Sequence, residues 1–235
     1  MPEMNRWVAD VTDPPVTIAR RWRAEVPEVP GLPTIELAQA APSYPPAEAL
    51  REHLAEQARR PEAHGYVLGV GLDHVRDAIA RDTTAAYGAT IDGDDVVVTA
   101  GCNQAFCLAI GALCAAGDEV LVPTPYYFDH DMWLRASGVT PVYVPVGPDF
   151  LPDPDALAGA VTPHTRAIVV VTPNNPTGVE CPPDLIDAID GLARRHGLAL
   201  ILDETYREFR AAEGAPHSAL DRKSTRLNSS HGYIS

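Results

Sequence analysis

Lysine is almost absent from this sequence of 235 residues. Lys223, close to the carboxyl terminus, is the only one, and every other basic residue apart from histidine is an arginine. The 32 acidic residues outnumber the 18 lysines and arginines, which gives a formal net charge of −14. Nucleic-acid-binding surfaces need clustered lysine and arginine to neutralise phosphates. The composition therefore predicts an acidic protein with no nucleic-acid partner.

Long hydrophobic runs are missing as well. No apolar run approaches the roughly 20 residues of a transmembrane helix. The first residues include Glu3, Asp10 and Asp13 and contain no apolar segment of the kind that a secretory signal requires. We therefore expect no membrane partner and a cytoplasmic protein. Hydrophobic residues still make up 46% of the chain, which is enough for a packed core.

Cysteine is scarce and is not spaced for metal binding. The four cysteines are Cys102, Cys107, Cys114 and Cys181, and no two of them form a Cys-x-x-Cys pair. Histidines and acidic residues show no ligand spacing either. We expect buried structural thiols, neither zinc ligands nor disulfides, and no metal site.

The last 14 residues differ in composition from the rest of the chain. Residues 222–235 are rich in serine, hold the only lysine and contain no acidic residue. One interpretation is a disordered terminus. The interpretation we favour is a foreign segment, translated from a frameshift, a vector or a sequencing adaptor. Comparison of the coding DNA with a full-length genomic copy distinguishes the two.

Short apolar runs alternate with helical patterns along most of the chain. Strands are predicted at residues 96–99, 119–122, 139–144, 166–172 and 198–202. Helices are predicted at residues 17–25, 46–59, 72–86, 103–116 (ended by Gly117), 126–137, 153–160 and 183–196. Such alternation indicates βαβ crossovers and a mainly parallel sheet of an α/β protein, with both faces covered. Ligands of these sheets bind beyond the carboxyl ends of the strands.

Two motifs follow predicted strands at that edge. Residues 172–178 read TPNNPTG, a rigid polar loop with two asparagines between prolines. Residues 200–206 read LILDETY, an apolar strand that ends in a carboxylate, with a tyrosine three residues later. The second motif also resembles the Walker B acid of ATPases. That interpretation requires a glycine-rich loop with a lysine upstream, and no lysine precedes Lys223.

Two further segments are rich in glycine. Residues 99–104 read TAGCNQ, a strand-to-helix turn whose free amides suit a phosphate. Residues 65–71 read GYVLGVG and precede the predicted helix at 72–86. This segment is not Gly-x-Gly-x-x-Gly, so a dinucleotide site is a poor fit.

From about residue 35 to residue 209, the order and spacing of these four segments resemble the aminotransferase class I/II family, fold type I of the pyridoxal-phosphate enzymes. The resemblance implies an α/β three-layer α/β/α sandwich with a mostly parallel sheet. It also implies pyridoxal 5′-phosphate as cofactor, an amino acid and a 2-oxo acid as small-molecule partners, and a homodimer. A lyase or decarboxylase of the same fold remains an alternative, since it would use the same cofactor residues.

The resemblance assigns roles around the cofactor ring. Asp203 would bind the protonated pyridine nitrogen and keep the ring able to accept electrons. Asn175 and Tyr206 would hydrogen-bond the phenolic oxygen. Tyr127 would stack on the ring face, with Phe128 as the second choice.

The resemblance also assigns residues to the phosphate. Gly101 and the backbone amides of Cys102 and Asn103 would hold it. Tyr66 would reach the phosphate bound by the partner subunit. The bond between Asn175 and Pro176 resembles one that is cis in this family, whereas only about 5–6% of X–Pro bonds are cis in general.

The sequence departs from the family pattern at two places. The family usually has a glycine where Ala40 stands, at the substrate-binding segment. The lysine that forms the Schiff base is missing, since Lys223 follows Asp203 too closely and lacks the family context. We therefore expect no catalytic residue in the chain, and a fragment that is inactive alone.

The resemblance suggests three segments. Residues 1–48 would be an N-terminal arm and part of a small domain, the rest of which would be missing. Residues 49–221 would be an incomplete cofactor-binding large domain. Residues 222–235 would be the foreign or disordered tail.

Overall fold

The computed structural model describes residues 3–36, 38–39, 44–67, 69–211, 214–221 and 227–229. These residues form two compact units. The larger comprises the described residues up to Val11 and from Val70 onward, and the smaller those from Thr12 to Gly69. The boundaries expected from the sequence, at residues 48 and 221, stay a prediction.

The larger unit is built on one five-stranded parallel sheet with the strand order β2-β1-β3-β4-β5. Its strands, in chain order β1 to β5, are Glu119–Thr124, Thr140–Pro145, Thr165–Val171, Ala199–Asp203 and Leu227–Ser229. The inner strands β1, β3 and β4 are almost continuously apolar, as expected of a parallel sheet that is buried on both faces.

Helices flank the strands and connect them. The helices of this unit, named α1 and α4 to α8 by their order in the chain, are Arg6–Ala9, Asp73–Tyr87, Cys102–Leu113, Phe128–Ala136, Pro154–Gly159 and Pro183–His196. The last helix ends as its sequence predicts. Gly197 adopts a left-handed conformation (φ 66°), and its amide donates to the carbonyls of Ala193 and Arg194.

The core consists of two apolar layers, one on each face of the sheet. Successive residues of a strand point to opposite faces, and in β4 Ala199 and Ile201 join one layer while Leu200 and Leu202 join the other. The first layer also holds buried residues of α5 and α6, and the second those of α7 and α8. The result is the three-layer α/β/α arrangement predicted from the sequence.

One strand and one helix end predicted from the sequence are wrong. Residues 96–99 form no strand, because the only ladder-like bond of this segment among the described residues joins the amide of Val98 to the carbonyl of Val70. Helix α5 ends at Leu113 and does not reach Gly117, because Cys114 is already extended (φ −123°, ψ 148°). Gly117 lies in the following turn with φ 96°.

The smaller unit is helical. It contains α2 (Pro15–Glu25), α3 (Glu48–Ala58) and a short 3₁₀ helix at Pro61–His64. Within the described part of the unit, none of these helices buries a residue. The predicted helices at 17–25 and 46–59 are confirmed. In the described portion of the whole chain, no helix combines the length and the apolar character needed to cross a bilayer.

Candidate functional site

A cavity of about 240 Å³ lies at the carboxyl ends of β3 and β4. Ten residues line it: Ala100, Gly101, Cys102, Asn103, Tyr127, Val171, Asn175, Asp203, Thr205 and Tyr206. Seven of the eight cofactor-binding residues predicted from the sequence are among them. The structure therefore brings together residues of the TAGCNQ, TPNNPTG and LILDETY motifs in one place.

The loop after β3 places Asn175 at the cavity. The side-chain oxygen of Asn174 accepts hydrogen bonds from the amide of Thr177 (3.1 Å) and from its hydroxyl (2.9 Å). The amide of Gly178 donates to the carbonyl of Asn174 at 2.7 Å. These bonds close the loop on itself. The Asn175–Pro176 peptide bond is cis, which confirms the expectation from the sequence.

Asp203 is the buried acid of the cavity, with 3% of its surface exposed. Its Oδ1 accepts hydrogen bonds from the Thr205 hydroxyl (2.7 Å), from the Thr205 amide (3.1 Å) and from the Cys102 thiol (3.4 Å). Nε2 of His130 lies 3.1 Å from Oδ2, within ion-pair distance. Burial acts to raise the pKa of Asp203, but His130 and Thr205 outweigh it and the pKa is lowered.

The lowered pKa of Asp203 predicts a pH-dependent contribution to stability. A carboxylate whose pKa is lower in the folded than in the unfolded chain stabilises the fold above its ordinary pKa, here 3.8. That contribution is lost as the pH falls through the folded-state pKa. We expect the difference in unfolding free energy between the unchanged chain and Asp203→Asn to shrink over this acidic range. Urea denaturation at a series of pH values measures it, and a difference that stays constant with pH would contradict the expectation.

His130 was not identified from the sequence. It lies in α6 with 1% of its surface exposed, and its ring stacks on Phe106 at 4.1 Å between centroids. The rings of His130 and Tyr127 are nearly perpendicular, with 5.3 Å between their centroids. A sequence signal existed, since His130 and Leu134 are four residues apart and both lie on the buried face of α6.

Helix α5 begins at the cavity. Gly101 precedes it with φ 85°, and the hydroxyl of Thr99 donates to the Gly101 carbonyl at 2.8 Å. The side chain of Gln104 accepts from the amide of Ala100 at 2.6 Å. The first-turn amides of an α-helix have no acceptor within the helix and carry partial positive charge. This end of the cavity is therefore suited to an anion such as a phosphate.

Gly101→Ala is expected to destabilise the chain, because φ 85° lies in the region that L-residues avoid. With ψ 168° the residue lies in a region that is essentially restricted to glycine, and the cost should be about 1–3 kcal/mol. Gly111→Ala is the matched control, since Gly111 lies on the exposed side of α5 with no atom within 4 Å of an added Cβ. In the control, alanine should be neutral or stabilising by up to about 1 kcal/mol. Urea denaturation compares the unfolding free energies of the two variants. An equal effect of both substitutions would refute the claim that the backbone at position 101 requires glycine.

Tyr127 lies at the cavity beside an acid that sequence reasoning missed. Its hydroxyl donates to Oδ2 of Asp129 at 2.7 Å, and the side-chain amide of Asn103 donates to the same oxygen at 2.8 Å. Burial and then Asp129 raise the pKa of Tyr127. Phe128, the second choice, begins α6 and is not among the lining residues.

Three further residues were singled out in the sequence, and the structure describes one of them. Tyr66 belongs to the smaller compact unit and is fully exposed. Ala40 and Lys223 lie outside the described residues. The roles expected of Ala40 and Tyr66 stay predictions. In the described ranges, no group of three or more histidine, cysteine or acidic side chains could hold a metal ion.

Comparison with known proteins gives a consistent match. The family described as aminotransferase class I and II matches residues 33–230. The aspartate/prephenate aminotransferase of Thermus thermophilus is 36% identical over 163 residues, which cover 67% of this chain and 42% of that protein. The aspartate aminotransferase of Streptomyces avermitilis is 30% identical over 204 residues, 86% of this chain and 50% of that protein.

Solved structures show the same fold. Aspartate aminotransferase from Thermus thermophilus with maleate superposes with a TM-score of 0.81 at 28% identity, covering 97% of this chain and 60% of that one. Alanine aminotransferase from Pyrococcus furiosus gives a TM-score of 0.82 at 29% identity, covering 96% and 59%. The predicted α/β fold is confirmed. The chain spans about half the length of the curated relatives it matches.

Proposed function

Because the chain belongs to the aminotransferase class I and II family, we propose that its cavity is the pyridoxal 5′-phosphate site of an aminotransferase. The enzyme would move an amino group between an amino acid and a 2-oxo acid. One observation carries the proposal: Asp203, a buried carboxylate with a lowered pKa, lines the same cavity as Asn175 and Tyr206.

The lining groups fit the cofactor by their chemistry. Asp203 has a lowered pKa and is therefore an ionised carboxylate, which suits a protonated ring nitrogen. The first-turn amides of α5 suit a phosphate. The amide of Asn175 and the hydroxyl of Tyr206 suit a phenolic oxygen. A ligand that carries a cationic nitrogen, a phosphate and a phenolic oxygen satisfies all three, and pyridoxal 5′-phosphate is such a ligand.

Each residue would have a separate task in the reaction. Asp203 would hold a proton on the ring nitrogen through a charge-assisted hydrogen bond, which contributes about 1.5–3 kcal/mol. Asn175 and Tyr206 would orient the ring by its oxygen, and Tyr127 would cover one face and exclude water. The bound cofactor supplies an acceptor for the electrons released at the substrate carbon.

The proposal extends to the organisation of the longer enzyme. Residues 49–221 would hold the cofactor, and residues 1–48 would belong with a small domain. Tyr66 would contact the cofactor phosphate bound by the second copy in a homodimer, which agrees with its full exposure here. Ala40 would lie beside the substrate, and the enzyme would be cytoplasmic. A role in amino-acid biosynthesis follows from the same activity.

Direct titration tests the cofactor site. The 235-residue chain should bind pyridoxal 5′-phosphate saturably and with one site per chain, as measured by isothermal calorimetry. Inorganic phosphate should compete, because the α5 amides recognise that group. Pyridoxal without its phosphate should bind more weakly. The absence of saturable binding would overturn the proposal.

The reaction itself requires a chain extended to the length of its relatives. Incubated with an amino acid and 2-oxoglutarate, that enzyme should produce glutamate and the matching 2-oxo acid. Release of carbon dioxide or ammonia with no glutamate would favour the decarboxylase or lyase alternative. The 235-residue chain should produce neither glutamate nor the matching 2-oxo acid. After borohydride treatment, its Lys223 should carry no cofactor by mass spectrometry, and a fixed cofactor there would contradict its exclusion as the catalytic lysine.

A further inference from the structure

One side chain in the cavity has no role in the proposal so far. Thr205 lines the cavity, two residues after Asp203, at the position between the acid and Tyr206. Its hydroxyl donates to Oδ1 of Asp203 at 2.7 Å, and its own amide donates to the same oxygen at 3.1 Å. The residue therefore holds one carboxylate oxygen with two hydrogen bonds.

The two oxygens of Asp203 have different surroundings. Oδ1 accepts the two bonds from Thr205 and the weaker one from the Cys102 thiol at 3.4 Å, whereas Oδ2 lies 3.1 Å from Nε2 of His130. A carboxylate held at one oxygen by two donors from a single residue cannot rotate about its terminal torsion without breaking both. The Thr205 contacts therefore define which oxygen and which lone pairs remain for a ligand.

We propose that Thr205 is a positioning residue, whose hydroxyl holds the Asp203 carboxylate in one orientation and in its ionised form. This inference rests on the proposed function, since the purpose of the orientation is to meet a protonated ring nitrogen. Thr205 acts through Asp203. A hydroxyl that donates to a carboxylate stabilises the anion over the neutral acid.

The chain offers a matched pair of variants. Thr205→Val keeps the β-branched shape and the backbone amide but removes the hydroxyl donor. Thr205→Ser keeps the donor and removes one methyl group. A role in hydrogen bonding should separate the two variants, and a role in packing alone should affect both.

The first measurement needs no cofactor. Titration of the Asp203 carboxyl carbon by carbon-13 NMR reports its proton affinity directly. We expect Thr205→Val to raise that affinity about tenfold, one pKa unit, since one bond to a charged group is lost. Thr205→Ser should stay within about twofold of the unchanged chain. A Thr205→Val titration that matches the unchanged chain, or a Thr205→Ser titration that matches Thr205→Val, would overturn the inference.

The second measurement is the dissociation constant of pyridoxal 5′-phosphate at neutral pH. Thr205→Val should bind about tenfold more weakly and Thr205→Ser nearly as tightly as the unchanged chain. If the unchanged chain binds no cofactor, the proposed function fails, and the NMR titration alone decides the role of Thr205. If the unchanged chain binds and both variants bind equally well, the proposed function stands and the Thr205 inference fails.

Discussion

Asp203→Asn is expected to weaken the binding of pyridoxal 5′-phosphate by roughly 10- to 100-fold, the equivalent of a hydrogen bond to a charged group of about 1.5–3 kcal/mol. Asparagine has nearly the same shape but no negative charge to pair with a protonated ring nitrogen. The buried position of Asp203, with 3% of its surface exposed, leaves little water to replace the lost interaction. Isothermal calorimetry measures the dissociation constant.

The control for this experiment is Asp82→Asn. Asp82 lies on the exposed side of α4, so the substitution changes the net charge equally but does not alter the cavity. Its dissociation constant should match that of the unchanged chain. Circular dichroism checks that Asp203→Asn remains folded. Equal affinity of a folded Asp203→Asn variant would refute the role of Asp203 and, with it, the proposed cofactor site.

Tyr87→Phe is expected to lower the free energy of unfolding by about 1.5–3 kcal/mol. The Tyr87 hydroxyl donates to Oε2 of Glu204 at 2.6 Å, and both side chains are buried. His217 is buried beside them, with Nε2 3.3 Å from Oε1 of Glu204. Burial and then Glu204 raise the pKa of Tyr87, so the phenol keeps its proton and remains a donor. Phenylalanine removes this donor from a buried carboxylate.

Urea denaturation measures this loss, and Tyr44→Phe is its control. Tyr44 is 72% exposed, so loss of its hydroxyl should change stability by less than about 0.5 kcal/mol. Tyr87→Phe therefore measures how much the bond between the end of α4 and the residue after β4 stabilises the fold. An effect as small as that of the control would show that the Tyr87–Glu204 bond contributes no net stability.

Local patterns predicted most helices well because their signals lie within one or two turns. Helix α8 begins after Pro182 and ends before Gly197, where the sequence places proline and glycine. The strand predicted at residues 96–99 failed for the opposite reason. Valine and threonine favour extended backbone, but a strand also needs a neighbouring strand. Among the described residues, the one ladder-like bond of this segment joins the amide of Val98 to the carbonyl of Val70.

Some residues of the candidate site were also predictable from local patterns, and others were not. Asp203, Asn175 and Tyr206 stand in motifs that follow apolar strands, so their position at one edge of the sheet was predictable. Thr205 stands in the same motif as Asp203 but was assigned no role from the sequence. His130 and Asp129 lie in α6 and follow no strand directly, and the only signal of His130 is its place on the buried face of that helix. His130 looks like an ordinary helix residue, and only the tertiary structure brings its Nε2 within 3.1 Å of Oδ2 of Asp203.

The sequence by itself determined the fold class, the net negative charge, the order of strands and helices along the chain, and the resemblance to the aminotransferase class I/II family. Periodicity encodes the strands and helices because these depend on residues close to one another in the chain. The charge follows from the composition, and the resemblance rests on the motifs and their order. The tertiary structure decided the spatial order β2-β1-β3-β4-β5 and the partners of the buried polar groups. Tyr87 and Glu204 are 117 residues apart and meet only when the fold brings the end of α4 to the end of β4. Such pairs depend on the packing of whole elements, which no local pattern specifies.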